Sequence, residues 1–149
     1  MQIIDGQLPK EKLWRTLVIL TPDEPLGRAW QLARSLAHAN QGQLIVGIYI
    51  RDLNPAAQTA AQQCAESVRA AAPDAERVFV LTITAPNFDK ALPRFVVTAA
   101  IDLLVAPVDG PIAYNLNRVP CAVAALRGDN ATAMAKGTTS SQTRLEHLI

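Results

Sequence analysis

The chain alternates between short runs that are apolar at nearly every position and longer stretches where apolar residues return every three or four positions. The first run, Leu17 to Leu20, has no polar alternation and reads as a strand buried on both faces. It stops at Thr21-Pro22-Asp23-Glu24-Pro25, a polar turn bounded by prolines. Leu26, Ala29, Trp30, Ala33, Leu36 and Ala37 follow at helical spacing, with Arg28, Gln31, Arg34 and His38 on the other side. This pattern predicts an amphipathic helix lying on a sheet, with Trp30 in the core. The helix start has two readings: a capping box at Thr21-x-x-Glu24, or Pro25 as the first helical residue, where its missing N–H costs no bond.

Gln43 to Ile50 is the second strand, with Gly47 as a point of close helix approach. Ala56 to Ala72 is an alanine-rich helix with a shallow stripe of Ala57, Ala60, Ala61, Cys64, Val68 and Ala71. Arg77 to Ile83 is the third strand. Asn87 caps a third helix that buries Ala91, Leu92, Phe95, Val96 and Ala99, and Pro93 predicts a kink or a start one turn later. Ile101 to Ala106 is the fourth strand, Pro107-Val108-Asp109-Gly110-Pro111 a second proline-and-aspartate turn, and Ile112 to Val119 about two helical turns. Cys121 to Leu126 is the fifth strand. Residues 1–12 read as a polar leader and Gly128 to Ile149 as a flexible tail, with a frayed helix near Gln142 to Leu148. Strands alternating with helices require right-handed crossovers, so the fold class is a three-layer α/β/α sandwich around a five-stranded parallel sheet, spanning 13–127.

Composition removes several functions. A length of 149 residues with 50% hydrophobic content is one domain with a real core. A formal net charge of +1 lacks the basic footprint of a nucleic-acid binder or a membrane-surface anchor, so neither partner is expected. Cys64 and Cys121 are too few for a disulfide framework and read as small apolar residues in a reducing compartment, and no Cys or His spacing offers a metal site. Direct membrane insertion is not expected, since Thr98 and Asp102 interrupt the longest apolar stretch, Phe95 to Pro107. A cytoplasmic location is the expectation. No Gly-x-Ser-x-Gly elbow is present and no paired carboxylates stand at a recognisable spacing, so an enzyme is not expected and no cofactor is implied.

Leu17-Val18-Ile19-Leu20-Thr21-Pro22-Asp23-Glu24-Pro25 resembles the first strand and turn of universal stress proteins. Ile101-Asp102-Leu103-Leu104-Val105 resembles their fourth strand, and Arg118-Val119-Pro120-Cys121-Ala122-Val123 the approach to their fifth. The resemblance implies the strand order 3-2-1-4-5 and an adenine pocket near Tyr49, Arg51 and Asp52. Nucleotide-binding members carry an Asp after strand one and a glycine loop ending in Gly-Ser or Gly-Thr after strand four. Here Thr21 stands in the first place, with Asp23 two residues on, and Pro111 in the second. Proline offers a phosphate neither an N–H nor a hydroxyl. The connection from Pro107 to Pro120 is hardly longer than the ten to twelve or so residues that a crossover needs, and Asp109 adds negative charge there.

In open α/β sheets ligands bind at the carboxyl ends of strands, where strand order reverses. Thr21, Pro22, Asp23, Tyr49, Arg51, Asp109 and Gly110 are therefore the candidate ligand-binding residues. Each has a structural alternative: helix capping for Thr21 and Asp23, a plain turn for Asp109-Gly110, a surface pair for Arg51-Asp52. Strand five has no proline or lysine inside it, and an apolar edge of that kind invites pairing. Together with the resemblance, this implies a homodimer through Cys121, Ala122, Val123, Ala124, Ala125 and Leu126, unless the tail folds over the edge. The expected function is a non-catalytic regulatory or assembly domain without tight ATP binding, either free or as the cytosolic module of a membrane transporter. The alternative is a sensor of a small ligand or weakly held nucleotide.

Overall fold

The computed structural model describes residues 1–23, 26–73, 77–127, 130–134 and 142–144, the last two segments by backbone alone. Among these residues eight strands form one mixed sheet: β1 (Gln2–Asp5), β2 (Arg15–Leu20), β3 (Gln43–Tyr49), β4 (Val78–Thr84), β5 (Leu103–Pro107), β6 (Ala122–Arg127), β7 (Asn130–Met134) and β8 (Gln142–Arg144). Their order is β1-β4-β3-β2-β5-β6-β7-β8. The inner β4-β3-β2-β5-β6 is parallel and reproduces the expected 3-2-1-4-5 order, while β1, β7 and β8 add antiparallel pairings at its two sides.

All six residues of β2 are buried. Val18 and Leu20 point into a core shared with α1 (Arg28–Ala39) and α2 (Pro55–Ala71), and Leu17 and Ile19 into one shared with α3 (Phe88–Thr98). The alternation of a strand thus supplies both faces of the sandwich. Trp30 is a core residue, 3% exposed. Gly47 gives room to a strand neighbour and not to a helix, because a Cβ there would lie 2.9 Å from Ile83 Cδ1. No helix among the described residues is long and apolar enough to cross a membrane.

A buried guanidinium anchors the amino end of β2. Arg15 Nε donates to Gln43 Oε1 at 2.9 Å, Nη1 to the Ala99 carbonyl at 2.6 Å, and Nη2 to the carbonyls of Pro9 and Glu11 at 2.8 and 3.1 Å. Gln43 Nε2 donates to the Glu11 carbonyl at 2.7 Å, and Asp102 Oδ2 accepts from Arg15 N at 2.9 Å and from Lys12 Nζ at 2.6 Å. A buried polar group needs such partners, and here neutral acceptors from the leader, β3 and the α3–β5 loop provide them.

Several expectations change. The leader is part of the sheet: Gln2–Asp5 pairs antiparallel with β4, closing an edge whose N–H and C=O groups would otherwise go unpaired. Gly6 at φ 86° makes the exit from β1, so close to β4 that a Cβ would sit 2.3 Å from the Val80 carbonyl. Helix α1 begins at Arg28 behind Gly27, which makes no side-chain cap bond, so Thr21 does not cap it; Glu24 and Pro25 lie outside the described residues. In α3 the helix runs through Pro93 from its Asn87 cap, with no late start.

The segment read as a two-turn helix, Ile112 to Val119, holds only a 3-10 turn at Leu116–Arg118. Its half-buried residues, Ile112, Tyr114 and Leu116, come at a spacing of two and pack on the α3 side of the sheet, while Ala113, Asn115 and Asn117 are exposed. That is an extended chain's period, not a helix's.

The fifth parallel strand is not an edge. β7 pairs antiparallel along β6 from Arg127↔Asn130 to Val123↔Met134, and β8 pairs with β7. Cys121 to Leu126 therefore cannot exchange strand hydrogen bonds with a second copy. The reason is that β7 runs back antiparallel along β6; in sequence the two are separated by Gly128-Asp129, a dipeptide of hairpin composition. The frayed helix near Gln142 to Leu148 is replaced at Gln142–Arg144 by β8, and the rest of it lies outside the described residues. Leader and tail, expected as tethers, both contribute strands to the sheet.

Two outcomes follow from this packing. Trp30→Ala removes a buried indole, and urea denaturation should show a loss of about 3–5 kcal/mol; an unchanged midpoint would contradict the core assignment. Ending the chain at Arg127 strips β7 and β8 from β6, and light scattering should then find self-association that the full chain lacks at the same concentration.

Candidate functional site

Strand β2 keeps register with β3 as far as Leu20↔Ile48 but with β5 only as far as Val18↔Val105. Its two neighbours lead to opposite faces of the sheet, so the strands part at their carboxyl ends. A cleft of about 730 Å³ opens there, a size suited to a small molecule. Four strand exits build it: Thr21-Pro22-Asp23 after β2, Tyr49 to Asp52 at the end of β3, Ala85 to Asp89 after β4, and Pro111 to Ala113 beyond β5.

Its wall is aromatic and aliphatic. The Tyr49 and Phe88 rings lie with centroids 5.0 Å apart, tilted by 50°, and Phe88 meets Tyr114 edge-on at 5.8 Å. Tyr49 Oη donates to the Ala85 carbonyl at 3.2 Å and Thr84 Oγ1 to the Ile50 carbonyl at 2.7 Å, which ties the ends of β3 and β4 together behind the wall. The rim is acidic: among the described residues Asp23, Asp52 and Asp89 are exposed along it, against the guanidinium of Arg51. Two helix N-termini meet the cleft, but each is already capped by its own side chain. Asn54 Oδ1 accepts from Ala57 N at 2.8 Å and Asn87 Oδ1 from Lys90 N at 3.3 Å. Such caps satisfy N–H groups that an anion would otherwise use.

Of the residues expected to bind ligand, Thr21, Pro22, Asp23, Tyr49 and Arg51 come together on this cleft, and Asp109 and Gly110 do not line it. Those two belong to a tight turn after β5, in which Gly110 N donates to the Pro107 carbonyl at 3.2 Å and Val108 N to the Leu126 carbonyl at 3.0 Å. The turn consumes the residues that a longer loop would have turned inward, and Pro111 is the first to reach the cleft. Phe88, Asn54, Asn87 and Asp89 are members that sequence reading did not select. The available signal was the recurrence of proline beside Asn or Asp after three of the parallel strands: Pro22-Asp23, Asn54-Pro55 and Pro86-Asn87.

The two cysteines and His38 lie elsewhere. Cys64 is buried in the α2 packing and His38 is exposed on α1. Cys121 is only partly buried, with its thiol donating to the Ala122 carbonyl at 3.3 Å. Among the described residues no group of three or more His, Cys, Asp or Glu is placed to hold a metal.

No protein-family model and no curated protein matches the chain. Among solved structures it is similar to a universal stress protein in complex with cAMP, with a TM-score of 0.54 and 16% identity over 79% of this chain and 98% of that chain. The fold is that of the universal stress proteins.

Burial pushes the Cys121 thiol up to about 11 from its ordinary 9.0; a backbone hydrogen bond at Leu104 opposes the rise and the charge of Asp102 adds to it. The folded state thus favours the neutral thiol. The resulting stabilisation is complete below the unfolded pKa and is lost as pH rises through the folded one. The stability difference between the wild type and Cys121→Ala should be flat up to pH 9.0 and decline between there and about 11. A difference constant across that window would show a solvated thiol.

Proposed function

We propose that the chain is a non-catalytic regulatory domain of universal-stress-protein type whose switch-point cleft senses a small ligand and does not hold ATP tightly. The observation that carries this reading is the composition of the cleft: Pro111 lines it where a phosphate-binding hydroxyl and N–H would stand, and three carboxylates face one guanidinium. A triphosphate brings several negative charges and would find few donors there, while the Tyr49 and Phe88 faces suit the stacking of a flat heterocycle. The similar universal stress protein was solved with cAMP, a nucleotide with a single phosphate, which supports a nucleotide-sized ligand in this fold.

Asp23, Asp52 and Asp89 do not form a catalytic constellation in this reading. They exclude polyanions and leave the cleft to neutral or weakly charged molecules.

Calorimetric titration with adenosine, cAMP and magnesium ATP tests the proposal. Adenosine should bind at least as tightly as ATP, and ATP should give no saturable heat at micromolar concentration. Phe88→Ala should weaken adenosine by about tenfold or more, the scale of one lost base–aromatic stack. Micromolar ATP binding would overturn the reading, as would an adenosine affinity indifferent to Phe88.

A further inference from the structure

The leader is held at its two ends by different means. At the amino end of the sheet Arg15 donates to the carbonyls of Pro9 and Glu11, Gln43 Nε2 donates to the same Glu11 carbonyl at 2.7 Å, and Lys12 Nζ meets Asp102 Oδ2 at 2.6 Å. Arg15 and Gln43 are buried, and hydrogen bonds to a buried cation are costly to break. At the other end β1 holds to β4 through three paired positions, Gln2↔Thr84, Ile3↔Ile83 and Asp5↔Thr82, with the register slipping between the last two. Gln2, Ile3 and Asp5 are exposed, and Ile4 is half-buried against the core shared with α1 and α2. Between the two ends the chain turns at Gly6, whose φ of 86° suits glycine.

The lightly held end lies beside the cleft. Gln2 is opposite Thr84, one residue before Ala85, where this part of the cleft wall begins. Three bonds knit that end of β4 to β3: Ile50 N donates to the Ile83 carbonyl at 3.0 Å, Thr84 Oγ1 to the Ile50 carbonyl at 2.7 Å, and Tyr49 Oη to the Ala85 carbonyl at 3.2 Å. Met1, Tyr49 and Phe88 all pack against the core on the α3 side of the sheet. β1 therefore covers the outer edge of the strand pair that carries the aromatic wall. A strand end left unpaired on one side opens more readily than one paired on both.

From this arrangement we infer that β1 is a strap for the cleft, hinged at Gly6 and pinned beyond the hinge by Arg15. Docked, it holds the wall of Tyr49 and Phe88 in place; released, it loosens that wall and bares the β4 edge to pairing with another chain. The pinned end keeps the strap near its seat, so release costs the β1 contacts alone and docking again is a local event. A ligand in the cleft and β1 on its seat then favour each other by the same factor, as linkage requires. This regulation rests on the cleft being a ligand site, as proposed above, whereas the strap itself rests on the geometry of β1, β4 and Arg15.

Amide hydrogen exchange on the full chain, followed by NMR, tests the strap without any ligand. The β1 amides that pair with β4 should exchange at least about tenfold faster than the amides of β2 and β3, by local opening. Ile4→Asp removes the buried anchor of β1, and Gly6→Ala puts a Cβ against the Val80 carbonyl. Each should speed exchange at Ile50 and Ala91, whose amides are bonded beside the cleft, about tenfold and leave β6 unchanged. Tyr49→Phe removes the tie to Ala85 and should in turn speed the paired amides of β1. Glu66→Gln, exposed on α2, should change neither. With adenosine bound, β1 exchange should slow, and Ile4→Asp should weaken adenosine by the matching factor. The proposal fails if β1 exchanges only with global unfolding, if a strap variant unfolds the chain or speeds β1 and β4 alone, or if Tyr49→Phe leaves β1 unchanged. Adenosine that binds without slowing β1 overturns the strap and not the ligand site. Adenosine that does not bind overturns the ligand site, and the ligand-free exchange still decides the strap.

Discussion

One buried guanidinium holds the amino end of the central strand, and the rest of the structure depends on where it is. Arg15 is 6% exposed and its side chain bonds to neutral oxygens of the leader, β3 and the end of α3. Removing a cation from water is costly unless its donors are met, so these segments have little freedom to shift while Arg15 stays buried. The network gathers every neighbour of β2 at its amino end. At the carboxyl end β2 and β5 fall out of register two residues before β2 and β3 do. The cleft is the space left by that divergence.

Charge divides along the same axis. Exposed carboxylates ring the carboxyl-end cleft, and two guanidinium groups, those of Arg34 and Arg77, line a cavity at the amino end of the sheet. The helix N-termini that would ordinarily offset acidic charge at the carboxyl end are capped by Asn54 and Asn87. Local stability and ligand preference are therefore linked: the side chains that complete α2 and α3 also withdraw their N–H groups from a phosphate. The short crossover acts in the same direction, because its alternating apolar residues are spent on covering the sheet.

Both sides of the parallel core are finished by short antiparallel strands from near the two termini. β1 covers β4, and β7 covers β6. Each supplies backbone partners to a strand that would otherwise present open N–H and C=O groups. Neither has the length or apolar content that marks an independent element: Gln2–Asp5 has four residues and Asn130–Met134 five. They are strands because of what lies beside them.

The parallel core was legible in the sequence because β2, β3, β4, β5 and β6 are continuous apolar runs whose burial is a property of their own side chains. The sheet-facing stripe of α1, with Trp30 in it, was legible for the same reason, as were the caps at Asn87 and the cleft members Thr21, Pro22, Asp23, Tyr49 and Arg51. Backbone complementarity left no such trace. The strands at Gln2–Asp5 and Asn130–Met134 exist by pairing with residues some eighty and a few positions away, and only Gly128-Asp129 hinted at the second. The apolar residues of Ile112 to Leu116 fit a helix or an extended chain until the α3 side of the sheet selects a period of two. Asp109 and Gly110 were placed one turn wrongly because strand order names the end of the sheet where a ligand sits, while the course of a tight turn decides which side chains reach it. Side-chain chemistry acts locally and can be read in order along the chain, whereas hydrogen bonds and cavities between distant segments come into being only when the tertiary structure closes.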